Sequence, residues 1–385
     1  MPNEYRIEHI SSFINGEVST TLQLDSASRM NAQGEDFFCS KDLNSSITRM
    51  LIEKLHDGGN ALQEINRLFI TKNKKADDLG LFFSACLIDK FLLREFDSRC
   101  SNESEEHVFR IIARNKQGST WLRDLPFSTN IVKNLDMVST IIEEIATNTI
   151  FQKNCHVVQP NAKDYPLVIL SPQASAYLFH EIVGHLLEYD FLYSGRSFFK
   201  ISDIGKRLFP KYVNIIDDPF VMSKYGVSFG KYDDSGKELK KTTVISEGKL
   251  ISGIGTKRVD TILNQPLYRM YNLYLAASPN GPELKSMIKS VASGIYVGTS
   301  ASGNVNPYNG RFSLRCNNCQ IIRNGHLMGS INDFSINSSI EKAMESIEAI
   351  GSDLEFFPSQ CSKQGQLITV GTGGVSILIN SYGLL

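Results

Sequence analysis

Residues 165–190 read YPLVILSPQASAYLFHEIVGHLLEYD: an apolar run, a proline-marked turn, and a second apolar run carrying two histidines and a glutamate. The first run, Pro166 to Leu170, has the aliphatic, β-branched composition of a buried strand. Ser171 followed by Pro172 marks a helix start. The serine hydroxyl can accept a free N–H of the first turn, and proline is pre-set for the first helical position. The stretch therefore predicts a strand running directly into a helix.

His180, Glu181 and His185 lie on that helix in the order HExxxH. At about 100° per residue, side chains four apart share a face, whereas side chains five apart diverge by about 140°. A regular α-helix would point the two imidazoles away from each other. A single wider turn with i to i+5 bonding absorbs one residue and realigns them. Gly184, directly before His185, eases that distortion because it has no Cβ. Spacing alone leaves two readings open: a metal site with one extra residue, or a core helix with two incidental histidines.

The rest of the chain sets bounds. It has 385 residues, 42% hydrophobic and 21% charged, enough for two or three ordinary globular domains. Forty basic residues against forty-one acidic ones leave a net charge of −1, so no global field favours nucleic acid or an anionic membrane surface. No apolar run reaches the ~18 residues of a membrane span, and the first residues lack the pattern of a secretion signal. Seven cysteines, an odd number, do not form a disulfide framework and fit a reducing compartment. A cytoplasmic protein with free thiols, binding neither nucleic acid nor membrane, is expected.

Residues 1–165 are expected to form an N-terminal α/β domain. Segments 46–68 and 130–147 carry apolar residues at helical spacing, while 73–78 and 101–106 have the polar composition of surface loops. Residues 166–211 hold the HExxxH helix and a connecting segment. From 212 to 385, short alternating runs separated by DDSG (233–236), EG (247–248) and NG (309–310, 324–325) predict a β-rich antiparallel domain. Helices are expected at 282–293 and at 339–350, the second opened by a Ser338/Glu341 capping box. The fold class is α+β, an N-terminal α/β layer domain followed by a β-rich antiparallel C-terminal domain, with the HExxxH helix at their junction.

Several other residues invite chemistry. Glu188, one helical turn past His185, is expected to hold an imidazole N–H rather than to ligate a metal. Asp217 and Asp218 have the character of turn or edge carboxylates. Cys316 and Cys319 form a lone CxxC within a strand pattern, which predicts structural thiols, and His326, after a turn, is expected at the surface. SASG at 300–303 does not fit a serine nucleophile elbow. Glycines inside the terminal TVGTGG imply a close backbone approach or a bulge.

VILSPQASAYLFHEIVGHLLEYDF (168–191) resembles the TldD branch of the TldD/PmbA metallopeptidases, whose motif is HExxxH. The same family order continues in VNIIDDP (213–219), YDDSGKELKKTTVISEGKLISGIGTKRVD (232–260), SGIYVGTSASGNVNPYNGRFSL (293–314) and IGSDLEFFPSQCSKQGQLITVGTGGVSILI (350–379). The resemblance implies a Zn2+ site of His180, His185 and Cys361, with Glu181 as catalytic general base. It further implies hydrolysis of an extended or unfolded peptide substrate, such as the leader of a ribosomally made peptide. The implied assembly is two-fold, either a homodimer or a heterodimer with a PmbA/TldE-like subunit. Departures fall at Tyr189, Ser362 and Gln364, and the family's arginine-rich run is reduced to LYRMYN (267–272). The alternative from another class is a non-catalytic scaffold or partner subunit with a structural zinc. Glu181 weighs against it, because a structural site needs no base and closes with four protein ligands.

Overall fold

A computed structural model of the chain describes residues 160–223, 227–259 and 266–385, Thr140, and the backbone of five strands nearer the N-terminus. Those strands are β1 (Asn3–Ile14), β2 (Glu17–Ala27), β3 (Leu81–Asp97), β4 (Cys100–Asn115) and β5 (Thr120–Pro126). They form one antiparallel sheet in the order β2-β1-β3-β4-β5. The expected helices at 46–68 and, apart from the helical Thr140, at 130–147, and the loop at 73–78, lie outside the described residues. Residues 101–106 are not a loop: they pair with β3 as part of β4. Long-range pairing overrides the local polar composition, because a strand accepts polar side chains wherever a neighbour completes its ladder.

The expected strand and helix start are both present. β6 (Leu167–Leu170) runs into α1 (Pro172–Phe179), whose cap Ser171 accepts the Ala174 N–H on its hydroxyl oxygen at 3.1 Å. The same hydroxyl donates to the Gly298 carbonyl at 2.7 Å, so the cap also ties α1 to a neighbouring strand. Every residue of α1 is buried. Fully burying side chains such as Leu178 and Phe179 contributes about 1.5–3 kcal/mol each, which is what holds a polar-tipped helix in the interior.

Two sheets enclose this helix. One joins β7 (Ile215–Asp217), β9 (Thr242–Ser246), β10 (Lys249–Leu250), β13 (Asn272–Leu275), β19 (Glu355–Lys363) and β20 (Gln366–Gly374) in the order β10-β9-β7-β13-β20-β19. The other joins β6, β14 (Ser293–Val305), β15 (Arg311–Arg323), β16 (His326–Ile331), β18 (Ile347–Ile350) and β21 (Ile377–Asn380) in the order β16-β15-β14-β6-β21-β18, with β17 (Phe334–Ser339) also paired to β15. The short β8 (Val227–Ser228) pairs with β4, and β11 (Lys257–Val259) pairs with β12 (Pro266–Tyr268). A single large core cluster takes in residues of both sheets and of α1. At Gly374 a Cβ would lie 2.3 Å from the Pro172 carbonyl and 2.4 Å from Ser175 Oγ, which is the close approach that the glycine-rich run implied.

The antiparallel expectation for 212–385 needs amendment. β14 runs parallel to β6, and β13 runs parallel to β20. Turn residues report only local hairpins, and those are found: Glu247-Gly248 and Asn324-Gly325 both take positive φ, at 46° and 74° and at 48° and 77°. Parallel neighbours far apart in sequence leave no such mark.

Both late helices are shorter than predicted, α3 spanning Leu284–Ser290 and α4 Ile340–Glu345, with α2 (Tyr189–Tyr193) lying earlier in the chain. The capping box at Ser338 does not form. Ser339 is the cap residue without a side-chain bond, and the Ser338 hydroxyl donates to the Gly383 carbonyl instead. Residues 347–350, predicted helical, pair with β21 as β18. Among the described residues no helix is long and apolar enough to cross a membrane.

Candidate metal centre

Between α1 and the following turn the helix widens. Residues His180–Gly184 form a π-helical turn closed by the His185 N–H donating to the His180 carbonyl, the i to i+5 bond that absorbs the extra residue. His180 and His185 thus share a face, with ring centroids 4.9 Å apart and planes at 86°. Ile182 and Val183 stay fully buried on the opposite side and fasten the turn to the core. At Gly184 a Cβ would lie 2.6 Å from Met270 Sδ and 3.1 Å from Leu273 Cδ2, so the neighbouring strand packs where a side chain would stand.

Cys361, on β19, reaches the same point from the other end of the chain. Its Sγ lies 3.2 Å from His180 Nε2 and 3.3 Å from His185 Nε2. The three donor atoms lie within 4.8 Å of one another, and they are the group among the described residues that could hold a metal ion. Tetrahedral zinc, with N at about 2.0–2.1 Å and S at about 2.3 Å, separates N from S by about 3.6 Å. A few tenths of an ångström of opening would admit the ion, and two imidazoles with one thiolate suit it chemically.

Charge favours the same use. Burial opposes ionisation of the Cys361 thiol, but His185 and His180 outweigh it and hold the pKa well below the ordinary thiol value of 9.0. Burial likewise disfavours the His185 imidazolium, and the Cys361 sulfur together with Glu188 raises it well above 6.5. The sulfur is thus stabilised as the anion a metal would need, and binding would displace protons from the site.

Glu188 takes the supporting place expected of it. Fully buried, it approaches His185 Nδ1 at 3.5 Å through Oε2 and accepts the Met270 N–H at 3.1 Å on Oε1. Burial would raise its pKa, but the His185 hydrogen bond, Lys363 and Arg269 hold it at about 2. Lys363 Nζ forms an ion pair with Glu188 Oε2 at 2.7 Å, donates to Asp190 Oδ1 at 2.6 Å, and lies 4.2 Å from the Phe191 ring centroid. Arg269, with no exposed surface, completes the cluster. Lys363 thus stands between two carboxylates, Glu188 and Asp190, while Arg269 stands between Glu188 and the Cys361 sulfur.

Glu181 is half-buried and lies against β14: a Cβ on Gly303 would come 2.6 Å from its Cγ and 3.3 Å from Oε1. It stands next in sequence to His180, and its side chain makes no hydrogen bond among the described residues. Asp217 is part of the framework, its Oδ1 accepting the N–H groups of Tyr271 at 3.0 Å and Asn272 at 2.9 Å. Cys316 and Cys319 are buried thiols inside β15 and in no disulfide, and His326 is exposed, as expected. Sequence reading missed Arg269 and Lys363. The signal that could have found them is a lone cation within an apolar stretch, as in LYRMYN, and a lysine two residues from Cys361.

The model of the PmbA/TldA metallopeptidase C-terminal domain matches residues 163–383. The chain belongs to this family. Across 220 residues it is 31% identical to a metalloprotease of Methanocaldococcus jannaschii, covering 54% of this chain and 48% of that protein. A zinc metalloprotease TldD homolog of Saccharolobus solfataricus is 28% identical over 234 residues, covering 57% of this chain and 51% of that one. The matches thus span about half the length of these curated relatives. In structure the chain is similar to TldE from Thermococcus kodakarensis, with a TM-score of 0.64 at 13% identity over 98% of this chain and 94% of that one. That likeness concerns the fold alone.

Proposed function

We propose that this PmbA/TldD chain is a zinc-dependent peptidase that hydrolyses extended or unfolded peptides. The observation that carries this reading is the convergence of His180 Nε2, His185 Nε2 and Cys361 Sγ on a π-helical turn that also bears Glu181. A zinc ion held there supplies an electrophile and a water acidified towards neutrality. Glu181 accepts the proton of the attacking water and returns it to the amine nitrogen as the peptide bond breaks. Glu188 orients the His185 ring through Nδ1, which leaves Nε2 turned to Cys361, where it would be available to a metal.

The strand that carries Cys361 ends its sheet: among the described residues β19 pairs only with β20. An extended peptide adding to that edge would run past the sulfur. Main-chain hydrogen bonds would accept many sequences, as leader removal from ribosomally made peptides or clearance of short fragments requires. Membership of the PmbA/TldD family supports a two-fold assembly, either a heterodimer with a PmbA/TldE-like subunit or a homodimer. A reducing cytoplasm would keep Cys361 available as a thiolate.

Metal analysis together with hydrolysis of unfolded peptides by the wild type and by Glu181→Gln tests the reading, with and without a TldE-like subunit. The expected result is stoichiometric zinc in both proteins and hydrolysis by the wild type alone. Zinc-loaded wild type without hydrolysis under either condition would leave a structural metal in a scaffold.

A further inference from the structure

Arg269 has no exposed surface, and its short hydrogen bonds do not go to a carboxylate. Nη2 donates to Cys361 Sγ at 2.9 Å and to the Cys361 carbonyl at 3.1 Å, while Nη1 donates to Gln366 Oε1 at 2.6 Å. The contact to Glu188 is longer, 3.5 Å from Nε, and Nε has no hydrogen-bond partner. Glu188 already has Lys363 at 2.7 Å, so it does not account for a second buried cation. The guanidinium is a rigid planar fork, and the Gln366 bond fixes its plane so that one N–H stays aimed at the sulfur.

We infer that Arg269 is a positioning residue for the metal centre. Its N–H to Sγ hydrogen bond holds the Cys361 thiolate in place and draws electron density from the sulfur, which weakens its donation to the metal. The inference rests on the zinc-site reading above. Its logic is that of an outer partner tuning a ligand. A thiolate is the most electron-releasing donor in a His2Cys set, and a metal that must polarise a carbonyl benefits from a partner that restrains it. A lysine in this place would keep the charge but lose the fork that serves Sγ, the carbonyl and Gln366 together.

Cobalt-substituted protein reads this directly, because the thiolate-to-cobalt charge-transfer band reports the energy of the sulfur electrons. Wild type, Arg269→Lys and Arg269→Met are loaded with Co2+, and the band position is recorded beside the thermal unfolding midpoint. The expected result is a band at lower energy in both variants, with the lysine variant failing to restore the wild-type position. A purely structural arginine would lower the midpoint and leave the band where it is, which overturns the inference. Should neither variant fold, wild-type protein loaded with 113Cd and 15N-labelled at arginine decides. A coupling between cadmium and a guanidinium proton supports the hydrogen bond, and its absence overturns it. Wild type that shows no charge-transfer band on adding Co2+ would sink the metal-site reading itself, a failure distinct from an unshifted band.

Discussion

Lys363 Nζ lies 2.7 Å from Glu188 Oε2, and this contact joins the hairpin bearing Cys361 to the segment that follows His185. The two residues are nearly absent from the surface, and Asp190 shares the same ammonium at 2.6 Å. The candidate metal centre is therefore clamped by buried charge as well as by apolar packing.

Removing one partner of such a cluster should be costly, because the other charges stay buried. Lys363→Met is expected to destabilise the metal-free protein by about 3–5 kcal/mol, the typical penalty for an orphaned buried ion. Denaturant titration in the presence of a chelator measures it without interference from metal binding. A loss below about 1 kcal/mol would mean that the cluster relaxes to admit water or to protonate.

Gly184 should resist substitution for reasons of space rather than backbone angle. A Cβ there would stand 2.6 Å from Met270 Sδ and 2.7 Å from its Cε, atoms near the end of a flexible side chain. Gly184→Val is expected to cost about 1–3 kcal/mol as an overpacked core substitution. Met270→Ala in the same chain should recover part of that loss, and the two single variants with the double variant form a cycle that isolates the clash. Additive effects would show that the valine strains the π-helical turn rather than meeting Met270.

Asp217 predicts a pH dependence of stability. Burial is the main cause that raises its folded pKa from 3.8 to about 7, against the two backbone N–H groups that its Oδ1 accepts. A carboxyl raised on folding stabilises the native state while it is protonated, and that contribution is lost progressively as pH rises from about 4 to 7. Between pH 5 and pH 8 the loss amounts to roughly 3 kcal/mol. Asp217→Asn keeps an oxygen for both N–H groups and cannot ionise. The stability difference between variant and wild type should therefore grow in the variant's favour from pH 5 to pH 8, and a constant difference would count against the shift.

The site was legible to different depths. Ser171-Pro172 and Gly184 announced the helix start and its distortion, because capping and helical spacing are local rules written in adjacent residues. Cys361 stands 176 residues from His185, and only likeness to known sequences linked them. Arg269 and Lys363 left only the weak mark of a lone cation in an apolar stretch or near Cys361, whose role shows once the fold removes its water. The 347–350 run has helical composition, yet pairing with β21 makes it a strand, a choice made by a partner that no local window contains.

Gly303 offers a way to move the proposed base without touching the proposed ligands. A Cβ at that position would lie 2.6 Å from Glu181 Cγ and 3.1 Å from Cδ, so Gly303→Ala must push the carboxylate aside. His180, His185 and Cys361 keep their own supports, and the metal content of the variant should equal that of the wild type. Proton transfer depends on hydrogen-bond reach, and a displacement of about 1 Å can cost about 100-fold in rate. The expected outcome is a kcat lowered by about 10- to 100-fold with zinc fully bound and the unfolding midpoint little changed. Full activity in Gly303→Ala would show that Glu181 reaches the reacting water by a route that does not pass the β14 backbone, or that another residue carries the proton.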